Sequence, residues 1–330
     1  MMSKPQVTIL VAVWNTAAYL PQCLESLRRQ TLRDIQVVCV DDASTDESLA
    51  VLRHYADLDE RIEVVALPKN QGQAHARNVA LRQAKGEFVC FLDSDDWMAD
   101  DCLEQAVRVF QAHPSTDSVL FHTLYYYNES RQDEFPMKPF EVLRGDEAFV
   151  LSLTWRIHGV YMVRATIHER YPYDESARAF SDDNTTRLHY LASREVRTCQ
   201  GTYYYRQRQT SVSHQFNLRR FDYLVANQSM KRQLVALRVA DDVLNLYENH
   251  RWLNVVDMYM LWFKHRTSLS TFAQRRALAL IRDSWRSMEG QRIKPSLRRK
   301  VGYMPCKGHW RLFMLQENGY FFLRKLMGRL

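Results

Sequence analysis

Glu87-Phe-Val-Cys-Phe-Leu92 runs directly into Asp93-Ser-Asp-Asp-Trp97. The first half is a short apolar run of aromatic and β-branched residues, bounded by Gly86 and by acids, and reads as a buried strand. The second half sets three carboxylates at that strand's carboxyl end, where open α/β sheets bind their ligands. Asp93 and Asp95 project together only if the chain turns at Ser94. Oxygen ligands grouped in this way suit a hard cation that neutralises a diphosphate. The same residues also read as a solvated acidic turn leading into the helix that starts near Asp100.

The stretches upstream weigh between these readings. Val7-Thr-Ile-Leu-Val-Ala-Val13, Ile35-Gln-Val-Val-Cys-Val40 and Ile62-Glu-Val-Val-Ala66 are apolar, β-rich runs expected to be buried parallel strands. Between them come helical spacing over 18–29 and a helix capped by Ser44 or Thr45 and ending near Tyr55. A third helix over 74–84 follows the turn at Asn70-Gln-Gly72, and a fourth lies near 101–111. This alternation predicts an α/β fold with a doubly wound, mostly parallel sheet. Downstream, the pattern predicts a strand over 118–127, a polar loop over 128–140 and a helix over 143–152. A short strand over 159–163 precedes a helix from Phe180-Ser-Asp-Asp-Asn184 to Ser193, with Asp182 or Asp183 as its N-cap. A strand over 196–205 and a basic loop over 206–214 complete a first domain, residues 1–215. From Phe216 the pattern is helical and amphipathic, so residues 216–330 are expected to form a helical second domain.

Several classes drop out. No Gly-x-Gly-x-x-Gly follows the first strand, which argues against a dinucleotide-binding oxidoreductase, and no Gly-Lys-Ser/Thr phosphate loop is present. Six cysteines lie scattered without a Cys-x-x-Cys pair and read as reduced core residues. No run approaches the ~20 apolar residues of a membrane-crossing helix, and the N-terminus lacks a signal-peptide stretch. A cytoplasmic protein is expected. The net charge of +7 is unevenly placed: residues 292–330 hold ten Lys or Arg against the single acid Glu317. Such a tail favours an anionic partner.

Four blocks in order, Val38-Cys-Val-Asp-Asp-Ala-Ser-Thr-Asp46, Asn70-Gln-Gly-Gln-Ala-His-Ala-Arg-Asn78, Phe91-Leu-Asp-Ser-Asp-Asp-Trp97, and Ser181-Asp-Asp183 with the 203–214 segment, resemble inverting family 2 glycosyltransferases of the GT-A fold. Those enzymes build bacterial surface polysaccharides, and the resemblance covers residues 5–215. It implies a UDP-sugar donor, a divalent metal (Mn2+ or Mg2+), and a lipid-linked or oligosaccharide acceptor such as lipopolysaccharide, O-antigen or capsule. Carried over by position, Asp42 corresponds to the acid that accepts from the uracil N–H, Arg77 to the arginine near base and phosphates, and Asp93 to the ribose-contacting acid. Asp95 corresponds to the principal metal ligand, with Asp96 supporting it. Val13, Asn15, Asn70, Gly72 and Ser94 border the nucleotide-sugar, and Arg206 and Arg208 are expected at the diphosphate. His214 is implied either as a further metal ligand or as a plain hydrogen-bonding residue. Asp183 is favoured as general base over Asp182. The sequence departs from the family at Asp182-Asp183-Asn184-Thr185, where Glu-Asp and a nearby aromatic are usual, and at Ala12-Val-Trp-Asn15, where proline and tyrosine are usual. His158 and Trp155 are candidates for the acceptor border, core packing being the alternative for Trp155.

A polyprenyl-phosphate sugar synthase shares the N-terminal blocks. A basic nucleic-acid-binding module is the reading from another class, and the acidic clusters argue against nucleic acid across that face. In the tail, Trp310, Phe313, Tyr320, Phe321 and Phe322 lie among basic residues, a composition expected either to dock on the inner face of the cytoplasmic membrane or to pack on the core.

Overall fold

The computed structural model describes residues 4–207, 218–298 and 308–329. These form two compact units: the described residues of Met1–Arg178 and Asp182–Gln215, and those of Ala179–Ser181 and Phe216–Leu330.

The first unit begins with β1 (Val7–Val13), α1 (Leu20–Arg28), β2 (Ile35–Asp41), α2 (Ser48–Leu58), β3 (Ile62–Ala66), α3 (Gln73–Leu81) and β4 (Phe88–Phe91). The strands lie in the order β3-β2-β1-β4, all parallel. The chain moves outward from β1 through β2 to β3, then returns to place β4 on the other flank of β1. That reversal is a topological switch point, where α/β sheets open a crevice at their carboxyl edge. Alternation along β1 fills both faces: Val7, Ile9, Val11 and Val13 pack with α1 residues such as Leu24, while Leu10 packs with Ala76 and Ala80 of α3. Gly86 leads into β4 because a Cβ there would lie 2.6 Å from the backbone nitrogen of Thr8.

There follow β5 (Trp97–Met98), α4 (Cys102–Ala112), β6 (Thr116–Asn128), β7 (Arg131–Glu134), β8 (Val142–Arg144), α5 (Gly145–Ser152), β9 (Tyr161–Arg164), α6 (Ala165–Arg170), α7 (Asp182–Ala192) and β10 (Glu195–Arg206). The sheet continues β4-β9-β6-β10-β5, with β9 antiparallel to both neighbours and β6 parallel to β10. The result is an open, mixed sheet whose N-terminal half is wholly parallel.

Three local expectations are corrected. The 128–140 loop contains β7, which folds back on β6 as a hairpin; every β7 residue is exposed, so the strand carries no apolar alternation to read. Neither Ser44 nor Thr45 caps α2: Asp46 accepts from the Ser48 and Ala17 amides, while Ser44 and Thr45 bond Asn15. α7 begins at Asp182, so both aspartates sit in its first turn.

The second unit comprises α8 (Asp222–Ala236), α9 (Asp241–His265), α10 (Thr271–Arg286), α11 (Pro295–Arg298) and α12 (Trp310–Leu326). Trp252, Tyr259, Ile281, Phe313 and Phe321 form its core. Glu248, fully buried on α9, accepts from Lys231, Arg251 and the Glu289 amide, so its charge is paired inside that core. No described helix is long and apolar enough to cross a membrane. Cys23, Cys39, Cys90, Cys102 and Cys199 are buried free thiols, and Cys306 lies outside the described residues.

Candidate active site

Asn15 follows β1, Asp42 follows β2 and Asp93 follows β4 by two residues, so all three lie at the carboxyl edge of adjacent parallel strands. The Asp42 carboxylate accepts from the Gln71 amide at 2.8 Å and the Gly72 amide at 2.7 Å. Asn70 donates to the Asp42 carbonyl, and Asp42 N–H donates to the Val13 carbonyl. Gly72 has φ +98, a left-handed value that favours glycine, although a Cβ there would meet only open space. Asp42 thus fastens the turn that starts α3. Asn15, also at positive φ, bonds Ser44 and Thr45 and closes the loop after β1 against the loop after β2. Ser94 is buried and accepts from the Thr16 hydroxyl.

The turn aims α3 so that Arg77 and Asn78 reach the segment ahead of α7. Asn78 exchanges hydrogen bonds with the Tyr173 backbone. Arg77 is buried, donates to Asp93 at 2.5 Å and to Asp182 at 3.4 Å, and stacks over Phe91 and Tyr173 with its guanidinium 4.1 and 5.2 Å from their ring centres. Burial opposes its charge, but Asp93, Tyr173 and Asp182 outweigh burial and hold its pKa above the usual value. One guanidinium therefore joins the acid after β4 to the acid that opens α7. Arg77 braces two acidic blocks through side-chain contacts.

Asp93 also accepts from Gln73, and its carboxyl is pushed up by burial, against the pull of Arg77 and with Asp95 and Asp182 adding to the rise. Asp96 is buried, accepts from the Tyr203 hydroxyl and the Arg206 amide, and is raised well above the usual carboxylate range by burial, Asp93 and Asp95. Arg206 donates from Nε to the Asp95 carbonyl and from Nη2 to Gln22, with its guanidinium 4.5 Å from the Trp97 ring centre. The structure thus uses Arg206 to hold the 93–97 loop. Arg208 and His214 lie outside the described residues.

A cavity of about 440 Å³ opens beside these groups, lined by Arg77, Asp93, Asp182 and Asp183 and walled by Phe91, Tyr125, Phe135, Trp155, Tyr173 and Tyr205. Asp42 and Asp95 do not line it. Burial raises the Asp183 carboxyl to about 7, with Arg187 opposing and Asp182 adding to the rise. Arg187, one helical turn on and buried, holds its Nη2 3.9 Å from Asp183. Trp155 sits at φ +54, is 42% exposed and stacks 5.6 Å above Arg187. Its core-packing alternative is corrected: the indole is a cavity wall. His158 also lines the cavity, and burial pulls its pKa down to about 4, so it stays neutral. The Val160 amide donates to His158 Nδ1, which leaves the ring proton on Nε2 facing Thr123.

The chemistry of the donor set can be read directly. Among the described residues, no three His, Cys, Asp or Glu side chains converge as a ligand set. Asp93 and Asp96 have their own hydrogen-bond partners. A hard cation at the 93–96 loop would be held by carboxylate oxygens. Sequence reasoning missed Arg187, whose i+4 spacing from Asp183 was a legible signal, and Phe135, which only the unforeseen hairpin brings to the cavity.

The Glycosyl transferase family 2 model matches residues 8–171. The chain belongs to glycosyl transferase family 2 through this stretch. The match ends before α7, so Asp183 lies beyond it. Over 119 residues the chain is 44% identical to "Putative glycosyltransferase EpsH" of Bacillus subtilis, covering 36% of this chain and 34% of that protein. The chain thus spans about a third of that relative's length. Among solved structures, S. aureus TarS 1-349 in complex with UDP-GlcNAc aligns with a TM-score of 0.76 at 19% identity, over 98% of this chain and 92% of that one. Mannosyltransferase PcManGT from Pyrobaculum calidifontis, in complex with GDP-Man and Mn2+, aligns at 0.54 and 18% identity, over 99% and 88%. At these identities the likeness is one of fold: this family 2 chain has the GT-A architecture with a helical C-terminal region.

Proposed function

We propose that this family 2 member is an inverting glycosyltransferase that moves a hexose or N-acetylhexosamine from a UDP-sugar to a hydroxyl of a bacterial surface glycan. The observation that carries the reading is the shared cavity. Asp183, raised to about 7, opens on the same space as Asp93 and Arg77. Inversion needs a base on the face opposite the leaving diphosphate, and a carboxylate titrating near neutrality suits that task. The aromatic wall favours a sugar ring as acceptor. Among the described residues three carboxylates and one arginine line the cavity, and Arg77 is already engaged by two of them, which disfavours an anionic acceptor such as a poly(alditol phosphate).

Asp42, Asn15, Val13, Asn70, Gly72 and Ser94 are proposed to border the nucleotide at the carboxyl edge, and Asp95 to hold Mn2+ or Mg2+. When bound, the metal supplies positive charge that stabilises the departing diphosphate. The UDP-GlcNAc held by TarS and the Mn2+ held by PcManGT support donor and metal by analogy of fold. We assign donor and acceptor chemistry to residues 1–215, and acceptor or membrane-surface association to residues 216–330, at the cytoplasmic face of the membrane.

A panel of UDP-, GDP- and dTDP-sugars assayed for divalent-metal-dependent release of nucleotide tests the reading. A UDP-sugar is expected to turn over, and Asp183→Asn is expected to lower transfer by roughly a hundredfold to ten-thousandfold while donor binding persists. Turnover of no nucleotide sugar, or full transfer by Asp183→Asn, overturns it.

A further inference from the structure

We infer that the outward face of α12 is a docking surface for an anionic phospholipid bilayer. Four of the five tail aromatics are not that surface: Phe313 and Phe321 are buried in the core of the second unit, and Trp310 and Tyr320 pack against it. The opposite side of the helix is bare and, apart from exposed Gln316 and Gly319, apolar. Leu312, Leu315, Phe322, Leu323, Leu326 and Met327 are 50 to 71% exposed, six of the fifteen large apolar residues exposed anywhere in the described chain. At about 100° per residue these six span roughly 140° of the helix, centred away from Phe313, Glu317 and Phe321. A soluble surface rarely collects apolar side chains in one stripe.

The charge says what covers it. On the helical wheel Arg311 and Lys325 lie beyond one border of the stripe, with Arg329 following the helix, while Arg324 falls on the inner side between Phe313 and Glu317. None of the four is in an ion pair among the described residues. Glu317, the only acid of α12, is fully buried on the inner side. Around it, residues 216–330 hold 22 Lys or Arg against 8 Asp or Glu, while residues 1–215 hold 23 against 30. A second copy laid on this stripe would bring two such basic units together. Anionic headgroups neutralise the border of Arg311 and Lys325 while the leucines enter the acyl boundary, the arrangement of an interfacial helix. The inference deepens the proposed membrane-surface association and stands on α12 alone, without donor or acceptor.

The test is flotation of the full chain on vesicles of phosphatidylglycerol and phosphatidylcholine in equal parts, against phosphatidylcholine alone. The chain is expected to float with the anionic vesicles only. Leu315→Ser/Phe322→Ser/Leu326→Ser is expected to lower the floated fraction about tenfold with an unchanged circular dichroism spectrum. Should that variant lose helicity, Arg311→Gln/Lys325→Gln/Arg329→Gln, which leaves the stripe intact, must show the same loss. Failure of the unaltered chain to float, or equal flotation by the correctly folded variants, overturns the inference. So does a dimer in light scattering that the serine variant splits, since a second copy then owns the stripe. Nucleotide release from a UDP-sugar in solution is expected to be unchanged in the serine variant. Its absence from the unaltered chain removes the transferase reading while leaving the flotation result standing.

Discussion

In the proposed transfer Asp183 is the base, and its surroundings set the pH at which it would work. Burial lifts its carboxyl to about 7, and Arg187 holds it from rising further. A base acts when deprotonated, so transfer is expected to climb as pH rises through about 7. Asp182 and Arg187 are the charged groups acting on Asp183. Arg187→Met removes the opposing charge, so the rising limb of kcat/KM is expected to move to higher pH by a unit or so. A limb that stays in place shows that the titrating group is another one. Trp155→Ala is expected to raise KM for acceptor several-fold with donor hydrolysis unchanged, because the exposed indole is a wall of the cavity and touches no donor-side acid. At this scale the sequence was informative where a residue type and a strand end coincide, as at Asp42 and Asp93. It favoured Asp183 over Asp182 but left the choice open, because adjacent residues in a helical turn point about 100° apart and the pattern does not say which one turns to a ligand. Here Asp182 reaches Arg77 and Asp183 stands near Arg187, and both line the cavity.

Elements place those residues by clamping loops to one another. The turn before α3 is fixed by Asp42, α3 presents Arg77, and Arg77 ties the end of β4 to the start of α7. The contacts join segments sixteen and 105 residues apart. Arg77→Ala leaves Asp93 and Asp182 facing each other without their cation, and is expected to destabilise the first unit by about 3–5 kcal/mol in urea unfolding. Arg77→Lys keeps the charge but not the two-pronged reach or the stacking on Phe91, and is expected to recover less than half of that loss. Equal stability of Arg77→Lys and the unaltered chain would show that charge alone is needed. The parallel strands were legible because strands buried on both faces are continuous apolar runs. The β6–β7 hairpin was not, since Arg131-Gln-Asp-Glu134 is exposed on both faces and meets β6 through backbone pairing and polar contacts, Arg131 over Tyr127 and Glu134 beside His122, which leave no apolar alternation. The tail divided in the same way. Its aromatics drew attention by composition, yet the helix turned Phe313 and Phe321 inward and left the leucines out. Composition names the residues of an amphipathic helix; packing decides which face is bare.

At the scale of the whole molecule there are two units with their own cores, so heat unfolding need not be a single all-or-none event. Glu317 gives the second unit a pH label of its own. It is fully buried in α12, neither carboxylate oxygen has a hydrogen-bond partner among the described residues, and burial raises its pKa to about 8. In the unfolded chain a glutamate titrates near about 4.3. A folded-state pKa above the unfolded value means that the native state binds the proton more tightly. The stability linked to that proton is therefore full at pH below the unfolded value and is lost as pH rises toward and through about 8. The transition of the second unit is expected to fall in temperature between pH 6 and pH 9 in scanning calorimetry. Glu317→Gln, which cannot ionise, is expected to flatten that fall and to raise the transition by at least about 4 °C at pH 9. Its effect at low pH should be small, because the native glutamate is then already neutral. The first unit lacks this residue, so its transition should not respond to the substitution. If both transitions move together, the units unfold as one; if neither moves, the Glu317 carboxylate has found water or a cation in solution.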